Sequence, residues 1–161
     1  MTRNMQNRDP QLETSGKIIG FYEREFYVLS NFSSFAVDWQ GRRWQTSEHA
    51  YQAAHFIDTD QKLFEKIHKA RSAHEAFKIA KRNANKAPGN WDQIKTQVME
   101  EIVYLKLLQN PYVKKKLLQT EDLLLVEDSP KDSFWGWGPD REGRNELGKI
   151  WMKLRQELRN K

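Results

Sequence analysis

Glu48, Gln52 and His55 recur four and seven residues apart in the run Trp44-Gln-Thr-Ser-Glu-His-Ala-Tyr-Gln-Ala-Ala-His-Phe56, which sets all three on one face of a helix. Thr46 is placed to cap that helix, so Glu48 falls in its first turn, where the helix dipole favours an ionised carboxylate. Such a group serves as a general base or stabilises a developing cation, although acids also occupy first turns for stability alone. A second constellation is Glu127-Asp-Ser-Pro-Lys-Asp-Ser-Phe-Trp-Gly-Trp-Gly-Pro139, directly after an apolar run. Three acids, two Trp and two Gly make unusual connector chemistry: Trp135 and Trp137 offer flat faces to a planar ring, and Gly136 and Gly138 permit close backbone approach. Equally, these Trp can be core and Asp132 can simply organise its turn. A third segment, Asp140-Arg-Glu-Gly-Arg-Asn145, leads into the last helix and sets Gly143, Arg144 and Asn145 near an N-terminus, where anions are favoured.

Other chemistry is excluded. Without cysteine there is no disulfide, Cys-ligated zinc, iron–sulfur cluster or thiol nucleophile. His49, His55, His68 and His74 do not form an HExxH pair, and the phosphate-loop, dinucleotide and GxSxG patterns are missing. No cofactor and no catalytic zinc are expected, while the sequence leaves an oxygen-ligated Mg²⁺ open. The 161 residues carry 27 Lys+Arg against 22 Asp+Glu, net +5, which suits either solvated helix faces or a phosphate-bearing ligand. No apolar run is long enough for a membrane span or secretory signal, so a cytoplasmic protein that does not engage a membrane is expected.

The elements that must position these residues follow from periodicity. Residues 1–16 read as a flexible arm, and residues 17–161 as one folded domain. Ile18 to Tyr22 and Phe35 to Trp39 read as strands, the second turning through Gln40-Gly41 into Arg42 to Trp44, together a small sheet at the front. Helices are predicted from Thr46 to about Phe56, after a Ser72/Glu75 capping box, and from Trp91 to about Gln109 with Asn90 and Gln93 repeating the box. In that long helix Ile94, Val98, Ile102, Leu105 and Leu108 form the expected buried stripe. Pro111 opens a shorter helix. Leu123 to Val126 reads as a fully buried strand, and Leu147, Ile150, Trp151, Leu154 and Leu158 as a last amphipathic helix. The fold class is α+β, a mostly helical single domain with a small β-sheet.

Taken together, the segments resemble the NADAR or YbiA-like family, which includes N-glycosidases of riboflavin-pathway intermediates and ADP-ribosyl glycohydrolases. The resemblance is carried by Leu29-Ser-Asn-Phe32, Gly41-Arg-Arg-Trp-Gln-Thr-Ser-Glu-His-Ala-Tyr-Gln-Ala53, Asn90-Trp91 with Met99, Leu125 through Gly138, and Gly143-Arg-Asn-Glu-Leu-Gly148 with Met152 and Arg155. It implies a YbiA-like fold and catalytic roles for Glu48 and Asp132. Ser30, Asn31, Phe32, Trp44, Gln52, His55, Trp91, Trp135, Gly136 and Asn145 are then expected to bind substrate. The substrate would be a small ribosyl phosphate, with ADP-ribosylated guanine in nucleic acid as an alternative and a non-catalytic ADP-ribose or nucleic-acid binder as another. One departure stands out: similar proteins often carry Lys where this chain has His55.

Overall fold

A computed structural model describes residues 18–161. The expected N-terminal arm lies outside the described residues. Among those described, six α-helices and four three-residue strands give the expected mostly helical α+β class. Residues 31–111 form one compact unit, and residues 18–30 with 112–161 form another.

Residues 31–111 begin with the hairpin of β2 (Val37–Trp39) and β3 (Arg42–Trp44), an antiparallel pair in register Val37 to Trp44. Gln40 and Gly41 both take positive φ, 54° and 71°, the two-residue turn whose twist matches a hairpin. The helices α1 (Ser47–Ala54), α2 (Gln61–His68) and α3 (Ala73–Arg82) start at Thr46, Asp60 and Ser72. Each of these caps has extended backbone and accepts from the N–H three residues on. Glu75 completes the capping motif one residue further out than a standard box, accepting the Arg71 N–H at 3.0 Å. Every residue of α1 is buried, because α2, α3, α4 and both hairpin strands pack around it. A helix enclosed in this way can hold a carboxylate out of bulk water.

Helix α4 (Trp91–Gln109) has the predicted bounds but not the predicted cap or phase. Asn90 sits at φ −96°, ψ 15°, and its side chain makes no capping bond. That backbone is not the extended conformation seen at the three caps that do form. The buried stripe is Met99, Ile102, Val103, Lys106 and Leu107, whereas Leu108 is 53% exposed. The cause is Lys106, fully buried with its Nζ donating to Ser33 Oγ at 3.0 Å and lying 5.7 Å from the Phe35 ring centroid. A polar residue on the core face shifts the apparent apolar period.

In the other unit, β1 (Ile18–Gly20) pairs in parallel with β4 (Leu124–Val126), Ile19 opposite Leu125. The front strand therefore does not join the hairpin, and the single small sheet expected is two separate ladders. Nor is β4 fully buried: Leu124 is exposed, because a ladder two strands wide with α6 (Glu146–Arg159) packed on it cannot cover both faces. Pro111 opens α5 (Pro111–Gln119) as expected. On α6 the buried residues include Leu147, Ile150, Trp151 and Leu154, and Trp151 Nε1 donates to Leu29 O at 2.9 Å.

Candidate active site

Glu48 is 5% exposed. Its backbone N–H donates to Asn31 O at 3.1 Å, and Gln52 Nε2, one turn along, donates to its Oε1 at 2.7 Å. The shared helix face brings the two side chains into contact, and the Gln52 amide, expected to bind substrate, instead holds the carboxylate in a low-dielectric setting, where its field on a nearby cation is screened less than in water. Asn31, buried, completes the N-terminal turn. Its Oδ1 accepts from Ser47 Oγ at 3.0 Å, and its Nδ2 donates to Met99 Sδ at 3.2 Å.

Further along the same helix, His55 Nδ1 donates to Gln52 O at 2.9 Å, and its ring lies 4.0 Å from the Trp91 ring at 34°. Tyr51, which the sequence reading passed over, joins the cluster at 5.3 Å from His55 and 5.7 Å from Trp91. Its position four residues before His55 on one helix was the available signal. Burial lowers the His55 pKa, against the backbone carbonyls of Gln52 and Tyr51 that raise it, and Lys95 lowers it further. His55 is therefore a neutral imidazole at pH 7, unlike a lysine in that position. Phe32, also assigned to binding, is 37% exposed.

Trp44 requires correction. Its side chain is fully buried, Nε1 donates to Trp39 O at 3.0 Å, and Trp39, Phe64 and His68 surround the ring. It is a core residue under α1 and not a wall for substrate. His49 is likewise structural: its N–H donates to Thr46 Oγ1, the threonine hydroxyl meets Nδ1 at 2.8 Å, and Nε2 donates to Ala70 O at 3.0 Å. Burial is the main cause of its lowered pKa. Because the folded pKa of His49 and His55 lies below the ordinary 6.5, the unfolded chain binds more protons as the pH falls through that value. Thermal unfolding followed from pH 8 to 5 is expected to show constant stability down to about pH 6.5 and a decline below it. A melting temperature that rises on acidification would contradict the neutral assignment.

In the second unit the Trp-Gly loop is built on the start of α6. Asp132 Oδ1 accepts the N–H groups of Phe134 at 2.9 Å and Trp135 at 2.8 Å, so it does organise its turn. The N–H groups of Asn145, Glu146 and Leu147 donate to the carbonyls of Gly136, Phe134 and Trp135. These donors at the helix start are occupied by the loop itself and are not free for the anion that such an N-terminus favours. Asn145, at φ 52°, acts as a bracket: Nδ2 donates to Leu125 O and Oδ1 accepts from Glu127 N, both at 2.9 Å. Gly136 is required because a Cβ there would stand 2.3 Å from Glu127 O. Trp135 is half-buried with Phe134 edge-on at 4.7 Å. Ser30, buried, ends the short 3-10 segment Arg24–Leu29 and donates its N–H to Tyr27 O. Among the described residues, no group of His, Asp and Glu is arranged to hold a metal ion, and no helix is long and apolar enough to cross a membrane.

Glu48 is thus a buried carboxylate held by an amide on α1, and in the other unit Asp132 orders the Trp-Gly loop. Residues 20–159 match the NADAR domain model. The chain belongs to the NADAR family, within its class of N-glycosidases, hydrolases acting on N-glycosyl bonds. An N-glycosidase of Nostoc punctiforme is 40% identical over 145 residues, covering 88% of this chain and 93% of that protein. N-glycosidase YbiA of Escherichia coli is 34% identical over 143 residues, 88% of each chain. The NMR structure of YbiA matches with a TM-score of 0.78 at 32% identity, covering 86% of this chain and 82% of that one. A riboflavin biosynthesis protein of Vibrio vulnificus is 42% identical over 142 residues, 87% of this chain but 38% of that longer protein.

Proposed function

We propose that the chain hydrolyses the C1–N ribosyl bond of phosphoribosylated aminopyrimidine or aminouracil intermediates of riboflavin synthesis. The observation that carries this reading is Glu48, buried and held through Oε1 by Gln52. As the C1–N bond breaks, its electron pair leaves with the base and positive charge builds on the ribose C1 and ring oxygen. A fixed carboxylate stabilises that charge and accepts a proton from the attacking water. Water adds to C1, the base takes up a proton, and the products are ribose 5-phosphate and free base. Asp132 is the partner acid in this reading, with the two roles exchangeable. Trp91, beside His55, and Trp135 supply planar surfaces for the base. The names of the Vibrio relative and of the similar Zea mays protein, both riboflavin biosynthesis proteins, support the substrate class.

Asp132→Asn separates two roles of that residue, because the amide oxygen still accepts from Phe134 and Trp135. It is expected to leave the melting temperature nearly unchanged and lower kcat about 100-fold. Wild-type turnover in Asp132→Asn would leave the aspartate as a turn residue only.

A second substrate, ADP-ribosylated guanine in nucleic acid, is favoured by the net charge of +5, since a polyanion would gain from it. Chromatography of both reactions side by side tests the proposal: release of the aminopyrimidine supports it, and release of ADP-ribose alone replaces it with the second reading. Salt-sensitive DNA binding without product from either substrate would support a binding module.

A further inference from the structure

Two arginines of the segment 140–145 lie in contrasting surroundings. Arg144 is neutralised: Nε and Nη2 meet Glu146 Oε1 at 3.1 and 3.0 Å, and its guanidinium stands 4.9 Å from the Phe134 ring centroid. Arg141 forms no ion pair among the described residues. Its Nε is buried without a hydrogen-bond partner, and its guanidinium lies 5.1 Å from the Trp137 ring centroid. Its acidic neighbours do not serve it, since Asp140 Oδ1 accepts the Glu142 N–H and both carboxylates are exposed. The backbone at Arg141 has φ +62°, a conformation unfavourable for a residue with a Cβ. The same loop carries Asp132 and Trp135, and the Gly143 N–H ties it to Trp137 O at 2.8 Å.

An unneutralised guanidinium placed beside an indole, on a turn whose backbone holds the arginine at positive φ, suits an anion. We propose that Arg141 binds the 5′-phosphate of the ribosyl substrate, its terminal Nη–H groups donating to phosphate oxygens. The fork geometry suits a tetrahedral oxyanion, and the Trp137 ring 5.1 Å from the guanidinium adds a cation–π contact. This rests on the ribosyl-phosphate reading above. The receptor chemistry is shared by a phosphate monoester and by the pyrophosphate of ADP-ribose, and it assigns to Arg141 what the occupied donors of Asn145 to Leu147 cannot do.

The test is calorimetric titration of the full chain with ribose 5-phosphate, ribose and ADP-ribose, for the wild type, Arg141→Gly, Arg141→Lys and Arg144→Ala. Arg141→Gly removes the charge and suits the positive φ, so its melting temperature should not fall and misfolding cannot mimic the result. Ribose 5-phosphate is expected to bind it about 10- to 100-fold more weakly, the loss of a charge-assisted contact, with ribose unaffected. Arg141→Lys should recover part of that loss, and Arg144→Ala should stay within about 2-fold of wild type. A larger loss for ribose 5-phosphate than for ADP-ribose assigns the site to a monoester, and the reverse assigns it to a pyrophosphate. Equal affinity in wild type and Arg141→Gly, an equal loss for ribose, or a wild type that does not prefer ribose 5-phosphate to ribose would overturn the proposal. Base release is scored separately. Binding through Arg141 without hydrolysis of the aminopyrimidine ribosyl phosphate would refute the proposed reaction and leave the phosphate site standing.

Discussion

Glu48→Gln is expected to lower kcat on the ribosyl substrate by about 1000-fold or more with KM changed only a few-fold. The substitution is isosteric, and its amide oxygen can still accept from Gln52 Nε2, so α1 should keep its enclosed position. What disappears is the negative charge. A neutral amide can neither offset an oxocarbenium centre nor take a proton from water, and burial magnifies the difference between the two groups. Circular dichroism and melting temperature matching wild type would show the loss to be chemical. Activity within about 3-fold of wild type would remove Glu48 from the reaction.

Gly148→Ala is expected to destabilise the protein by about 2–3 kcal/mol, despite lying inside a helix. On propensity alone, alanine at a helix interior gains about 1 kcal/mol over glycine. Here a Cβ would stand 2.2 Å from Leu125 O and 2.4 Å from Asn145 Nδ2, where α6 presses on β4. Neither neighbour can yield without loss. Leu125 is in the ladder with Ile19, and Asn145 brackets Leu125 and Glu127. Steric cost therefore outweighs propensity, and the melting temperature should drop by roughly 5–10 °C. An unchanged or higher value would mean that α6 can move off the strand without penalty.

Where local side-chain chemistry dictates geometry, the sequence is readable. Thr46 and Ser72 cap as their spacing says, Gln40-Gly41 turns the hairpin, and Glu48 and Gln52 meet one helical turn apart. Asn90 fails because a capping side chain works only from extended backbone, and the turn from Pro88 to Trp91 denies it that conformation. Lys106 misled the phase of α4, since binary patterning has no way to mark a buried amine with a hydroxyl partner. Pairing is a long-range property. Nothing local to Ile18–Gly20 says that its partner lies at Leu124–Val126 instead of in the next strand.

The candidate site divides along the same line. The helix face of Glu48, Gln52 and His55 was visible from spacing, whereas Trp44, expected to bind substrate through the resemblance alone, is core by position. The two arginines of one short segment are indistinguishable in sequence. Only the positions of Glu146 and Trp137 separate a paired guanidinium from an unpaired one.

The central claim is hydrolysis of an N-ribosyl bond, and product analysis of the purified wild-type protein with the ribosylaminopyrimidine phosphate of riboflavin synthesis tests it most directly. The account predicts free base and ribose 5-phosphate in equal amounts, accumulating catalytically and without added metal or cofactor. Intact substrate after prolonged incubation with folded protein, or consumption that leaves the C1–N bond unbroken, would contradict it.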